Sequence, residues 1–147
     1  MINYFGEDVS ISFLKHRRAF SRFLKQKLGE RNLLAGDINY IFCSDEYMIN
    51  INQQYLNHDY YTDTITFNYS EGNNISGDIF ISFDRVCDNA ENFGNSFLEE
   101  LFRVMIHGFL HLLGYEDKKS SESSGNMTIL QEVLLKEFLD TIVSRET

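Results

Sequence analysis

His107 and His111 stand four residues apart in the apolar run Leu101 to Leu113, and Glu116 and Asp117 follow the glycine, Gly114, that ends it. Residues at i and i+4 share one face of an α-helix, so the two imidazoles would lie side by side, near enough to hold one ion. A glycine just past a helix adopts the left-handed conformation that turns the chain back, which swings Glu116 or Asp117 toward the same point. Two imidazoles and one carboxylate around a divalent ion, with a fourth position left for water, make a hydrolytic metal site. The same donors also suit non-haem iron. Because the run is apolar almost all round, its helix is expected to be enclosed. A buried imidazole then needs partners, since an unpaired buried polar group costs about 1–3 kcal/mol. One ion would serve both rings; a backbone carbonyl or a helix neighbour for each is the plainer alternative.

Gly108 costs its helix about 1 kcal/mol relative to alanine, so something is expected to approach closely there. It also occupies the position at which HExxH zinc proteases carry their general-base glutamate. Peptide hydrolysis by that route is disfavoured, and the general base is left open between Glu116 and His58, each also explicable as a surface residue. Arg103, four residues before His107, and Arg85 are candidate cations for a developing phosphate charge. For Arg103 the competing reading is an ion pair with Glu99 or Glu100.

Periodicity outlines the elements that would position this helix. A first strand is expected around Ile2 and Tyr4, extending to Val9 and Ile11, and a helix from Ser12 to Leu28 stopped by Gly29. Asp37 to Cys43 alternates as a strand, and Ser44 and Asp45 cap a helix through Tyr55. Thr64 to Tyr69 and Gly77 to Phe83 read as a hairpin across the turn cluster Glu71 to Asn74. A helix from Asp84 to Phe93 follows. Ser96-Phe97-Leu98-Glu99 is a capping box that opens the histidine helix, and Met127 to Ile142 makes a last amphipathic helix. The order implies an α+β (mixed α/β) fold: about four strands in a mixed sheet, a central, largely buried metal-binding helix, and flanking helices.

At 147 residues the chain is expected to form one domain, 1–147, with a core that needs no disulfide. Cys43 and Cys87 lack metal spacing and read as free thiols of a reducing cytoplasm. The polar, acidic start is unlike an export signal, and the longest apolar run is too short and too charged to span a bilayer. The total charge of −9 hides an asymmetry: between Lys15 and Arg31 lie seven of the thirteen basic residues and one acid, so that stretch is +6 and the rest of the chain −15. A cationic face on an acidic body is the footprint of a local RNA contact.

The segment His107-Gly-x-Leu-His111-Leu-x-Gly-Tyr115 resembles the HGxLHLxGYDH motif of the YbeY family, bacterial metal-dependent endoribonucleases of ribosomal RNA maturation. Tyr55 with Thr62-Asp63-Thr64-Ile65-Thr66-Phe67 resembles that family's YR…PTDVLSF segment, and Gly77-Asp78-Ile79-Phe80-Ile81-Ser82 its GDI-V-I-S strand. The resemblance runs from about Ile38 to the last helix. It implies a cytoplasmic endoribonuclease acting on ribosomal RNA at the small ribosomal subunit, with no DNA or membrane partner. It also implies one divalent ion, most readily Zn2+ with Fe, Mn or Ni open, held by His107, His111 and Asp117. Asp117 stands where the family has a third histidine, Glu116 where it has an aspartate, and Leu56 where it has an arginine linked to RNA cleavage. Alternatives are a non-catalytic RNA-binding assembly factor with a structural metal, a metallohydrolase of a small phosphoester or amide, and an iron oxygenase.

Overall fold

The computed structural model describes residues 1–56, 62–115 and 122–146, with side chains throughout these except at 122–125 and 144–146. Alternating apolar side chains build the sheet. In β2 (Leu34–Cys43), Ile38, Tyr40 and Phe42 have no exposed surface and face the helices, as a period of two requires. β2 lies parallel to β1 (Ile2–Gly6) and to β4 (Asn74–Ser82), and β3 (Thr64–Asn68) pairs antiparallel with β4 as its hairpin partner. The order is β1-β2-β4-β3, a four-stranded mixed sheet, and the fold is α+β as expected.

The main core joins one sheet face to α1 (Arg17–Glu30), α4 (Phe97–Leu112) and α5 (Glu122–Glu146). Ten residues of α4 are buried, so the enclosure expected for the histidine helix is found. Tyr40 ties it to the sheet by donating its hydroxyl to the Met105 carbonyl at 2.8 Å. On the other sheet face α2 (Asp45–Ile51) covers a smaller cluster of Cys43, Met48, Ile51 and Ile65. α3 (Phe83–Phe93) leads into α4.

Several boundaries differ from expectation: β2 and β4 each begin three residues earlier, at Leu34 and Asn74, and α5 is longer at both ends than Met127 to Ile142. Val9 and Ile11 do not extend β1; the strand stops at Gly6 and the two side chains pack on the core from a loop. α1 begins at Arg17, five residues later than the apolar pattern suggests. Its preceding residue, His16, has φ +63°, a left-handed conformation that a right-handed helix cannot pass through. The helix expected to reach Tyr55 is α-helical only to Ile51 and continues as one π-helical turn, Asn52–Leu56. Such turns recur at functional sites.

Candidate metal centre

α4 is started by Ser96, whose hydroxyl accepts from the Glu99 N–H at 3.1 Å. The Glu99 carboxylate pairs with Arg103. One turn before the end of α4, His107 and His111 meet with their Nε2 atoms 3.0 Å apart and their rings nearly perpendicular, at 86°. Each Nδ1 is engaged. That of His107 is 2.6 Å from Oε1 of Gln131 on α5, and Gln131 donates its own amide to Glu132, which fixes the amide's direction. That of His111 is 3.0 Å from the Tyr115 carbonyl. Carbonyl oxygens only accept, so both Nδ1 atoms carry the proton in the neutral rings.

The consequence is electrostatic: with both rings neutral, the two Nε2 lone pairs would face each other at a distance where they repel. A cation bound by both turns that repulsion into attraction. The 3.0 Å separation is less than twice a zinc–nitrogen bond of about 2.0–2.1 Å, so one ion reaches both atoms. The pair fits a metal, and its outer nitrogens are oriented as second partners of metal-ligating histidines commonly are. Among the described residues no group of three or more His, Cys, Asp or Glu side chains converges. The expected third ligand Asp117 and the base candidates Glu116 and His58 lie outside the described residues.

Gly114 has φ +98°, the left-handed turn expected after the helix. Its neighbour Tyr115, whose carbonyl orients His111, is held through its hydroxyl by Arg31, which donates at 3.2 Å and lies over the ring. Beside His111 opens a cleft of about 510 Å³. His111, Gly114 and Tyr115 form one wall, and Thr64, Thr66 and Asn68 of β3 the other, with Asn52 and Leu56 of the π-turn at its margin. Thr64 and Thr66 lie on one strand face, paired with Ile81 and Ile79. Their hydroxyls are buried with no hydrogen-bond partner among the described residues. Asn68 donates to the Leu112 carbonyl and so ties β3 to the end of α4.

Neither candidate arginine enters the cleft. Arg103 is clamped by Glu99, Glu100 and Glu132; its pKa is raised, chiefly by the hydrogen bond to Glu132, whose carboxyl is correspondingly lowered. Arg85 binds both oxygens of Asp45, which also accepts from Ser82, and reaches Asp88. The described cleft lining contains no lysine or arginine, and Leu56 stands there instead. Cys43 is buried away from the cleft, its thiol pushed up to about 12 by burial first and by nearby carboxylates second. Gln131 was not legible as part of the site, being 24 residues from its histidine; the alternation of Thr64 and Thr66 in a strand pattern did signal that they share a face.

Fold and site together define a class: an α+β domain with paired imidazoles on a buried helix beside a cleft. The fold is shared with the solution structure of TM1509 from Thermotoga maritima, at a TM-score of 0.66 and 28% identity, covering 99% of this chain and 93% of that one. A family model described as endoribonuclease YbeY matches residues 1–139, so the likeness reaches back to the first strand. The chain is 51% identical to the endoribonuclease YbeY of Parabacteroides distasonis over 82% of its length and 84% of that protein's. It is 50% identical to that of Flavobacterium johnsoniae over 84% and 87%. The chain belongs to the endoribonuclease YbeY family.

Proposed function

We propose that residues 1–147 act as one metal-dependent endoribonuclease domain of the cytoplasm that hydrolyses phosphodiester bonds of ribosomal RNA, at the small ribosomal subunit, through one divalent ion held by His107, His111 and Asp117. The observation that carries the metal is the meeting of two Nε2 atoms whose partner nitrogens are both committed as donors. Zinc suits two imidazoles and a carboxylate, and the harder carboxylate leaves iron, manganese and nickel open. When bound, the ion supplies Lewis acidity, polarising a phosphoryl oxygen and acidifying a water molecule.

The chain's own residues supply position. Gln131 and Tyr115 fix both rings in the tautomer that presents Nε2. Thr64 and Thr66 of β3 line the cleft wall opposite His111, and their unpartnered hydroxyls are candidate donors to phosphate or ribose oxygens. Leu56 and Ile65 add apolar lining. Glu116 and His58 are the proposed candidates for moving a proton. No helix of the described residues is long and apolar enough to cross a membrane, which is compatible with a cytoplasmic site of action.

The test is metal content by elemental analysis together with cleavage of structured ribosomal RNA. About one divalent ion per chain is expected in the native protein, lost in His111→Ala, with cleavage lost in His111→Ala and Asp117→Ala. A native protein without bound ion, or cleavage that survives both changes and chelation, refutes the proposal.

A further inference from the structure

The described lining of the cleft carries no cation, yet its substrate is a polyanion. The missing charge stands on α1. Arg18, Arg22 and Lys25 recur at i, i+4 and i+7, one stripe of the helix, with Arg17 beside them and Lys15 just before the helix; all five are exposed. Arg17, Arg18, Arg22 and Lys25 border a surface groove of about 530 Å³ floored by Ile2 and Tyr4 of β1, with Ser21 between. None of the five forms an ion pair among the described residues, whereas Lys27 on the same helix is bound to Glu30 and Glu137. Charges left unneutralised on a chain whose residues outside Lys15 to Arg31 sum to −15 form a local positive field on a body that repels phosphate elsewhere.

The stripe stands over the β1 edge of the sheet and the cleft at the opposite, β3 edge. Arg31, the residue that ends α1, donates to the hydroxyl of Tyr115, and Tyr115 lines the cleft beside His111. With a rise of about 1.5 Å per residue, Lys25 stands about 9 Å and Arg18 about 20 Å up the axis from Arg31. Three strand spacings of about 4.8 Å separate the β1 edge from the β3 edge, so at about 3.4 Å per stacked nucleotide an RNA spanning rail and cleft is about five to seven nucleotides long.

We infer that the exposed stripe Arg18, Arg22 and Lys25 of α1 is a phosphate-binding rail that holds the RNA backbone several nucleotides away from the bond cleaved at the histidine cleft. The inference rests on the endoribonuclease reading for its substrate, and it replaces inside-cleft cations with a remote electrostatic anchor. It makes a length-dependent statement: RNA that reaches past Lys25 feels the rail, and a dinucleotide does not.

The experiment compares the full-length protein with the triple variant Arg18→Ala/Arg22→Ala/Lys25→Ala. RNA binding is measured by fluorescence anisotropy over a salt series and cleavage on a long structured RNA and on a dinucleotide, with thermal melting to verify the fold. Each phosphate contact contributes about 0.7–0.9 to the slope of log affinity against log salt, so the variant's slope should be shallower by about 2–3. KM for the long RNA should rise with kcat retained, and dinucleotide cleavage should be unchanged. An unaltered slope and KM in a folded variant overturns the rail. So does loss of binding to anionic lipid vesicles without change in the RNA slope, which would make the surface a membrane contact. If the wild type binds RNA with the steeper slope and cleaves none, the rail stands and the endoribonuclease reading fails.

Discussion

The close approach demanded by Gly108 is made by Ile79, and its cost can be worked out. A Cβ added at Gly108 would lie 2.5 Å from Ile79 Cγ2 and 3.4 Å from its Cδ1, where ordinary carbon contacts need about 3.5–4.0 Å. Ile79 is fully buried and sits on β4, bonded to β2 on one side and β3 on the other, so the strand cannot retreat. Overpacking of this kind costs about 1–3 kcal/mol, offset by about 1 kcal/mol of helix propensity gained. Gly108→Ala should therefore destabilise by about 1 kcal/mol and lower Tm by roughly 2–8 °C. Ile79→Ala alone should cost about 2–5 kcal/mol through the cavity it leaves. In the double variant the new methyl group enters that space, so a thermal or urea cycle should show a favourable coupling of about 1–3 kcal/mol. Strict additivity, or a Gly108→Ala protein more stable than wild type, refutes the argument. Because the histidines lie one residue before and three after Gly108, a lifted helix should also weaken metal retention in the single variant and recover part of it in the double.

Arg103→Leu should destabilise by about 3 kcal/mol in denaturant titration, since it strands the Glu100 carboxylate, whose side chain is only 5% exposed; a loss under 1 kcal/mol would show that the cluster is ornamental to the fold. In the wild type Glu132 is held below its ordinary value of 4.5 by the Arg103 hydrogen bond, so the stability it contributes is present above 4.5 and disappears as pH falls through the lower folded value. The Tm gap between wild type and Arg103→Leu should accordingly narrow between pH 6 and pH 3; a constant gap contradicts the assignment. Gln131→Leu should lower metal affinity about 10–100-fold while Gln131→Glu, which keeps an acceptor, retains most of it; equal affinities in competition with a chelator would remove Gln131 from the site. Thiol labelling of the native protein should modify half-buried Cys87 well before buried Cys43, and simultaneous labelling would contradict the burial that raises Cys43 to about 12.

What was legible in the sequence was whatever depends on local periodicity. The i, i+4 histidines, the apolar run that encloses them, the left-handed glycine after it and the β3–β4 hairpin all stand where spacing puts them. The ion pairs of Arg103 with Glu99 and Glu100 follow from helical spacing too. Local pattern failed where one backbone conformation overrode it: Phe13 and Leu14 continue the helical apolar pattern of α1, but the left-handed His16 separates them from the helix. Val9 and Ile11 keep a strand's alternation and bury themselves without pairing. Gln131, Glu132 and Tyr40 act at positions set by packing of elements far apart in sequence, which no periodicity reports.

That division bears on how the site is held. The two imidazoles come from one helical turn, but the groups that fix their tautomers do not: one is a side chain on α5, the other a backbone carbonyl beyond Gly114 that Arg31 of the α1 terminus holds through Tyr115. An isolated peptide spanning α4 would therefore place the histidines side by side without determining which nitrogen each presents. Presentation of both Nε2 atoms requires α5 docked against α4 and the turn after Leu113 closed, so metal affinity and tertiary packing are coupled, and ion binding adds directly to the stability of the folded state. On this ground metal removal should loosen α5 and the Gly114 turn before it loosens the sheet, a sequence that hydrogen exchange resolves; protection lost first in β2 and β4 would place the coupling elsewhere.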